Sequence, residues 1–164
     1  MLLPSQLICS DGNIRLIRLE ADDIDWVIDN TDAKLLEIVF SSHGNESLSE
    51  FYEAQFSWTY VYLITNLNNE SFGMIRVVPE MDNLFSLHGI GWPNKYHFSR
   101  TYFKAWIGLH QYLFNSQNLI RSNCLDDNFS AINVLVKTGY EPSFLNVYLK
   151  GERNLNFILS SKKF

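Results

Sequence analysis

The sequence predicts an α/β (α+β) fold, a mixed but mostly antiparallel sheet of six to seven strands flanked by helices. Three observations carry that expectation. Strand-like and helix-like patterns follow one another as strand, helices, antiparallel hairpin, strand, helix, strand, helix, strand, strand. The 164 residues, 46% hydrophobic and 19% charged, suit one domain over 1–164 that buries roughly 70% of its unfolded surface. Between Asn83 and Tyr140 a strand feeds an irregular loop and then a helix start, and the unpartnered N–H groups and dipole of a helix start attract anions.

The first strand is expected over 14–19, after the turn Asp11-Gly12-Asn13, paired with whatever precedes that turn. Asp22 or Asp23 then caps a short helix with Ile24, Val27 and Ile28 at helical spacing and Trp26 on its flank. Two further helical patches, 34–40 and 48–56, are separated by the loop Ser41-Ser42-His43-Gly44-Asn45. The hairpin follows, with strands over 58–65 and 72–78 joined through Asn66-Leu67-Asn68-Asn69.

The central strand covers 84–92 and includes His88, Gly89, Gly91 and Trp92. The two glycines share one face; they mark either a bulge or bend, or a place where another extended chain approaches the backbone. A helix over 99–114, capped by Ser99, carries the wide apolar stripe Tyr102, Phe103, Trp106, Ile107, Leu109, His110, Leu113 and Phe114. A strand over 119–125, a helix from Asp127-Asn128 to Lys137 ended by Gly139, and strands over 140–149 and 154–160 complete the chain.

Composition excludes several classes. The formal net charge is −5, which argues against a nucleic-acid partner. Cys9 and Cys124 form no CxxC pair and no disulfide framework, so a reducing, cytoplasmic setting is expected. No run reaches the length of a membrane span and the N-terminus lacks the pattern of a signal peptide. His43, His88, His97 and His110 show no metal-ligand spacing, so no metal is expected.

The segment Asn128-Phe129-Ser130-Ala131-Ile132-Asn133-Val134-Leu135-Val136-Lys137-Thr138-Gly139-Tyr140 resembles the Asn-x-x-(Ser/Ala)-Ile-x-x-Leu-x-Lys-x-Gly-(Phe/Tyr) stretch of the GNAT superfamily of acetyl-coenzyme A dependent N-acetyltransferases. It is most similar to the ribosomal-protein alanine acetyltransferase type. Element order and length agree over roughly 14–150. The resemblance implies acetyl-coenzyme A (acetyl-CoA) as cofactor and a primary amine, on a protein N-terminus or a small molecule, as acceptor.

Carried over residue by residue, the resemblance places the pyrophosphate on N–H groups of Phe98, Ser99, Arg100, Thr101 and Tyr102, with pantetheine lying as an extra strand beside Ile90, Gly91 and Trp92. Asn128 would hold its helix start and touch the cofactor. His88 is the candidate general base, because an imidazole accepts a proton near neutrality and this strand lines the acetyl site in the family. Its alternative role is a hydrogen-bonded histidine beside the sheet.

Two departures stand out. The family's (Arg/Gln)-x-x-Gly-x-(Gly/Ala) loop is degenerate, with Phe98 and Arg100 where glycines are expected. Leu135 stands where many members of the family carry a tyrosine that protonates the leaving thiolate, an acid that the ribosomal-protein type also lacks. The degenerate loop and the Leu-His-Gly-Ile-Gly-Trp-Pro stretch also resemble phage-encoded GNAT-like proteins. That likeness implies an inactive binding module for a phage or host protein, located in the virion or the host cytoplasm, its cleft filled by Trp92, Tyr96 and Phe98. A third reading is an acetyltransferase of an antibiotic or polyamine. Trp26, Trp58 and Tyr60 are candidate aromatics for a homodimer interface.

Overall fold

The computed structural model describes residues 3–10, 12–30, 59–80, 84–92, 98–115, 119–149 and 152–160. The helical patches expected over 34–40 and 48–56 lie outside the described residues. The elements are β1 (Gln6–Ile8), β2 (Ile14–Leu19), a 3₁₀ turn (Ala21–Asp23) leading into α1 (Ile24–Asn30), β3 (Tyr60–Asn66) and β4 (Ser71–Pro79). They continue with β5 (Phe85–Gly91), α2 (Phe98–Leu113), β6 (Leu119–Leu125), α3 (Phe129–Lys137), β7 (Glu141–Leu149) and β8 (Glu152–Ser160).

All eight strands form one sheet in the order β1-β2-β3-β4-β5-β6-β8-β7. Among the described strands only β5 and β6 pair in parallel, with α2 between them in the chain. The eighth strand, one more than expected, is β1, whose pairing with β2 is closed by the Cys9 N–H on Ile14 O at 2.9 Å and by Gly12 at φ 72°. The β3–β4 turn is built on asparagines. Asn66 Oδ1 accepts the N–H groups of Asn68 and Glu70, Asn69 adopts φ 61°, and Arg15 donates to Asn69 Oδ1 at 2.7 Å.

Two of the expected caps are corrected. The first helical turn is entered at Glu20, whose N–H donates to the Asp23 carboxylate at 2.8 Å, so Asp23 is the reciprocal partner of the cap and Asp22 is exposed. Helix α2 begins at Phe98, which places Ser99 inside the first turn instead of at the cap. At α3 the expectation holds. Asn128 accepts from Ala131 N at 3.1 Å, and Gly139 ends the helix at φ 93° while Tyr140 N bonds Leu135 O.

The sheet buries both faces. One face carries Ile14, Leu16, Tyr62, Ile64, Ile75, Val77, Phe85 and Leu87 against Tyr102, Trp106, Leu109 and Leu113 of α2 and Leu135 of α3. The other carries Leu19, Val61, Leu63, Met74, Ile90 and Trp92 against Ile24 and Val27 of α1, with the Trp26 and Trp92 rings edge to face at 6.4 Å.

Gly89 explains how closely α2 sits on the sheet. A Cβ there would overlap the Tyr102 hydroxyl and come within 2.7 Å of the Trp106 ring. On the α2 side, the close approach expected of this glycine is made by helix side chains. A second cluster lies deeper. His110 is fully buried, 3.1 Å from Tyr140 Oη and edge to face with Trp106, and burial lowers its pKa to about 3.

Two measurable consequences follow from these contacts. Gly89→Ala should destabilise the fold by about 1–3 kcal/mol through overpacking, read as a lower urea midpoint with an unchanged slope. His110 has a folded pKa below the unfolded value near 6.5, so its contribution is complete above pH 6.5 and declines as pH falls toward 3. The natural chain should therefore lose about 2 kcal/mol between pH 6.5 and pH 5, whereas His110→Phe should show a much flatter profile; equal profiles would mean that His110 is not the responsible group.

Candidate functional site

The candidate site forms where β5 and β6 part. Their ladder has only three positions, Phe85 to Leu87 opposite Ile120 to Ser122, yet β5 continues to Gly91 and β6 to Leu125. Two side-chain devices hold the strands together up to the point of parting. Ser122 Oγ donates to Leu87 O at 2.6 Å, where the ladder stops. On the opposite face, Glu80 accepts from both Ser86 Oγ and Arg121, and Arg121 Nε donates to Ser86 Oγ at 3.2 Å. Beyond this clasp the two strands are no longer paired with each other, and the space between them is the candidate opening.

Each wall of the opening leads into a helix. β5 is followed by the first turn of α2, which holds no acidic residue and carries the exposed Arg100. β6 is followed by α3. The N–H groups of that α2 turn and its cation make it the more anion-attracting wall.

Strand alternation sets what faces where. Leu87 and Gly89 face α2, whereas Ile90 faces the α1 side, so His88, half-buried, shares the α1 side with Ile90. Arg76 is its direct cross-strand neighbour on β4. On the other wall, Asn123 lies one step beyond the last paired residue of β6 and pairs with Asn156 of β8, which in turn pairs with Ser143 of β7. The row Arg76, His88, Asn123, Asn156 and Ser143 thus crosses the sheet on one face, divided by the opening. The sequence reading found only His88 of these five, because cross-strand rows depend on register and leave no motif.

The remaining site residues fall into place around this opening. Gly89 is exposed, and Ile90 and Gly91 are half-buried at the end of β5. The Trp92 N–H already donates to Phe72 O at 3.0 Å and its indole is buried beside Trp26. Phe98 to Tyr102 form the first turn of α2, with the Tyr102 ring buried and Thr101 half-buried. The side chains of Phe98 and Ser99, and the loop 93–97, lie outside the described residues. Asn128 is exposed, and its side-chain oxygen is engaged in capping α3.

Tyr140 and Tyr102 are unsuited to donate a proton near neutrality, because burial pushes both phenols well up. Leu135, at the position of the family's acid, is core packing. Among the described residues no group of three or more His, Cys, Asp or Glu is arranged to hold a metal, and no helix is long and apolar enough to cross a membrane.

Neither a protein-family model nor a curated protein sequence matches this chain. Solved structures do. A GNAT-family acetyltransferase from Bacillus anthracis superposes with a TM-score of 0.73 at 12% identity, covering 95% of this chain and 99% of that one. A putative ribosomal-protein-serine acetyltransferase from Vibrio cholerae gives 0.71 at 16% identity, covering 98% and 99%. Spermidine N-acetyltransferase from Vibrio cholerae, in complex with CoA and spermine, gives 0.70 at 14% identity, covering 92% and 97%. Likeness at such low identity speaks for architecture alone: the chain has the fold of the GNAT-family acetyltransferases.

Proposed function

We propose that the protein is an acetyl-CoA dependent N-acetyltransferase that transfers an acetyl group to a primary amine by direct attack within a ternary complex. The observation that carries this reading is the three-position ladder, which opens the edge of β5 beside an α2 helix start equipped with Arg100 and no acidic residue. The neighbours crystallised with CoA support the choice of cofactor.

The residues fit such a cofactor. Along β5 the backbone groups of Gly89 and Gly91 alternate away from β4 and offer an extended edge for a pantetheine arm, with Ile90 between them. Trp92 contributes little to that edge, since its N–H is used by β4. The α2 turn of Phe98, Ser99, Arg100, Thr101 and Tyr102 would hold the diphosphate, the Arg100 guanidinium adding a forked donor. The cofactor supplies an activated acetyl thioester.

The chain's own groups then manage the proton and the charge. His88 takes the proton released by the attacking amine, directly or through a water, and is the proposed general base. The N–H of Gly91 stabilises the oxyanion, whereas alternation along β5 turns that of Ile90, like that of Trp92, toward β4. No covalent enzyme intermediate is needed, and no buried tyrosine is required as acid. Asn123, Asn156 and Ser143, facing the same side across the opening, are the proposed acceptor-side surface.

The test is to titrate the chain with CoA and to follow thiol release with a panel of primary amines, including N-terminal peptides, spermidine and an aminoglycoside. Micromolar CoA binding, about 8 kcal/mol, is expected. His88→Ala should lower turnover about 100-fold with CoA affinity nearly unchanged. Loss of both together would make His88 structural. No binding at millimolar CoA would leave the fold as a protein-binding module.

A further inference from the structure

We infer that the exposed ring of Phe129 is a stacking platform for the nucleobase of the cofactor, so that the nucleotide lies with its phosphates on the α2 side of the mouth and its base on the α3 side. The inference rests on the acyltransferase reading and adds to it the direction in which the nucleotide lies.

Parallel strands send both following helix starts to the same end of the sheet. β5 ends at Gly91 and α2 starts at Phe98; β6 ends at Leu125 and α3 starts at Phe129. The two helix starts therefore flank the mouth, and their chemistry is opposite. The α2 start has Arg100 exposed and no acidic residue in its first turn. The α3 start is preceded by two exposed carboxylates, Asp126 and Asp127, which repel phosphate.

Asn128 Oδ1 already accepts the Ala131 N–H. What the α3 side offers a ligand is an aromatic face: Phe129 is 76% exposed, the most exposed large hydrophobic side chain among the described residues. A regular helix with a capped start fixes the backbone that carries that ring. A neutral, flat, aromatic group suits this corner, and a phosphate does not. A cofactor spanning the mouth satisfies both sides only with its phosphates toward Arg100 and its base toward Phe129. Exposed Val136, 54% accessible and two turns along the same flank, offers no π-face and serves as a control.

The experiment is calorimetric titration of the full chain and its variants with CoA. Phe129→Ala and Phe129→Leu should each weaken CoA binding about 10-fold, Phe129→Trp should bind at least as tightly as the natural chain, and Val136→Ala should change nothing. Because Phe129 is largely exposed, the melting temperatures of these variants should match the natural chain. Natural affinity in Phe129→Ala overturns the inference while the acyltransferase reading stands. Natural affinity in Phe129→Leu also overturns it, since an apolar contact without stacking would then suffice. Absence of CoA binding by the natural chain overturns both readings together.

Discussion

The structure depends on a single short junction between parallel strands. Seven of the eight strands have at least one long antiparallel partner, and these ladders hold each half of the sheet together. Within the sheet, the halves are ladder-paired only through Phe85 to Leu87 and Ile120 to Ser122. A ladder between β5 and β6 holds them at pairing distance only as far as it runs. Here the restraint ends where Ser122 takes the Leu87 carbonyl, and the Glu80–Ser86–Arg121 contacts reinforce it from the other face. Had the ladder continued along β5, the edge from Gly89 to Gly91 would be closed and the α2 helix start would face a filled sheet.

The packing behind the opening is aromatic and largely dry. Tyr102 and Trp106 sit against Gly89, Trp106 and His110 against Tyr140, and Cys9 against Gly108, where a Cβ would come 2.5 Å from its sulfur. Rings of this size fix α2 on the sheet within a narrow range of positions, because interiors are close-packed and tolerate little displacement. The same dryness is why His110 stays neutral and why the Tyr102 and Tyr140 phenols are removed from acid–base work.

Much of this was legible in the sequence for physical reasons. β6 was readable because Ile120 and Ser122 alternate with polar neighbours between clear turns, and α3 because Asn128 and Gly139 are chemically specific ends. The central strand and α2 were each placed to within one or two residues, since apolar periodicity over such lengths is hard to mistake. The short β1 strand was harder, as three residues carry almost no pattern. The cap at Glu20 was missed because an aspartate looks equally suitable at the cap or three residues later. The row of Arg76, Asn123, Asn156 and Ser143 was invisible, because it exists only after four ladders have set their registers.

Ser86 and Arg121 lie 35 residues apart in sequence, and the junction they secure closes a loop that contains all of α2. The β1–β2, β3–β4, β4–β5 and β7–β8 pairs join near neighbours, whereas the β2–β3 and β6–β8 pairs close connections of comparable or greater length over six and seven ladder positions. Closing a long loop for three ladder positions returns little enthalpy for the chain entropy it removes. The sheet therefore has a seam, and the seam is the same place that the candidate site opens. The weakest line of assembly and the point of ligand entry are one feature of the topology.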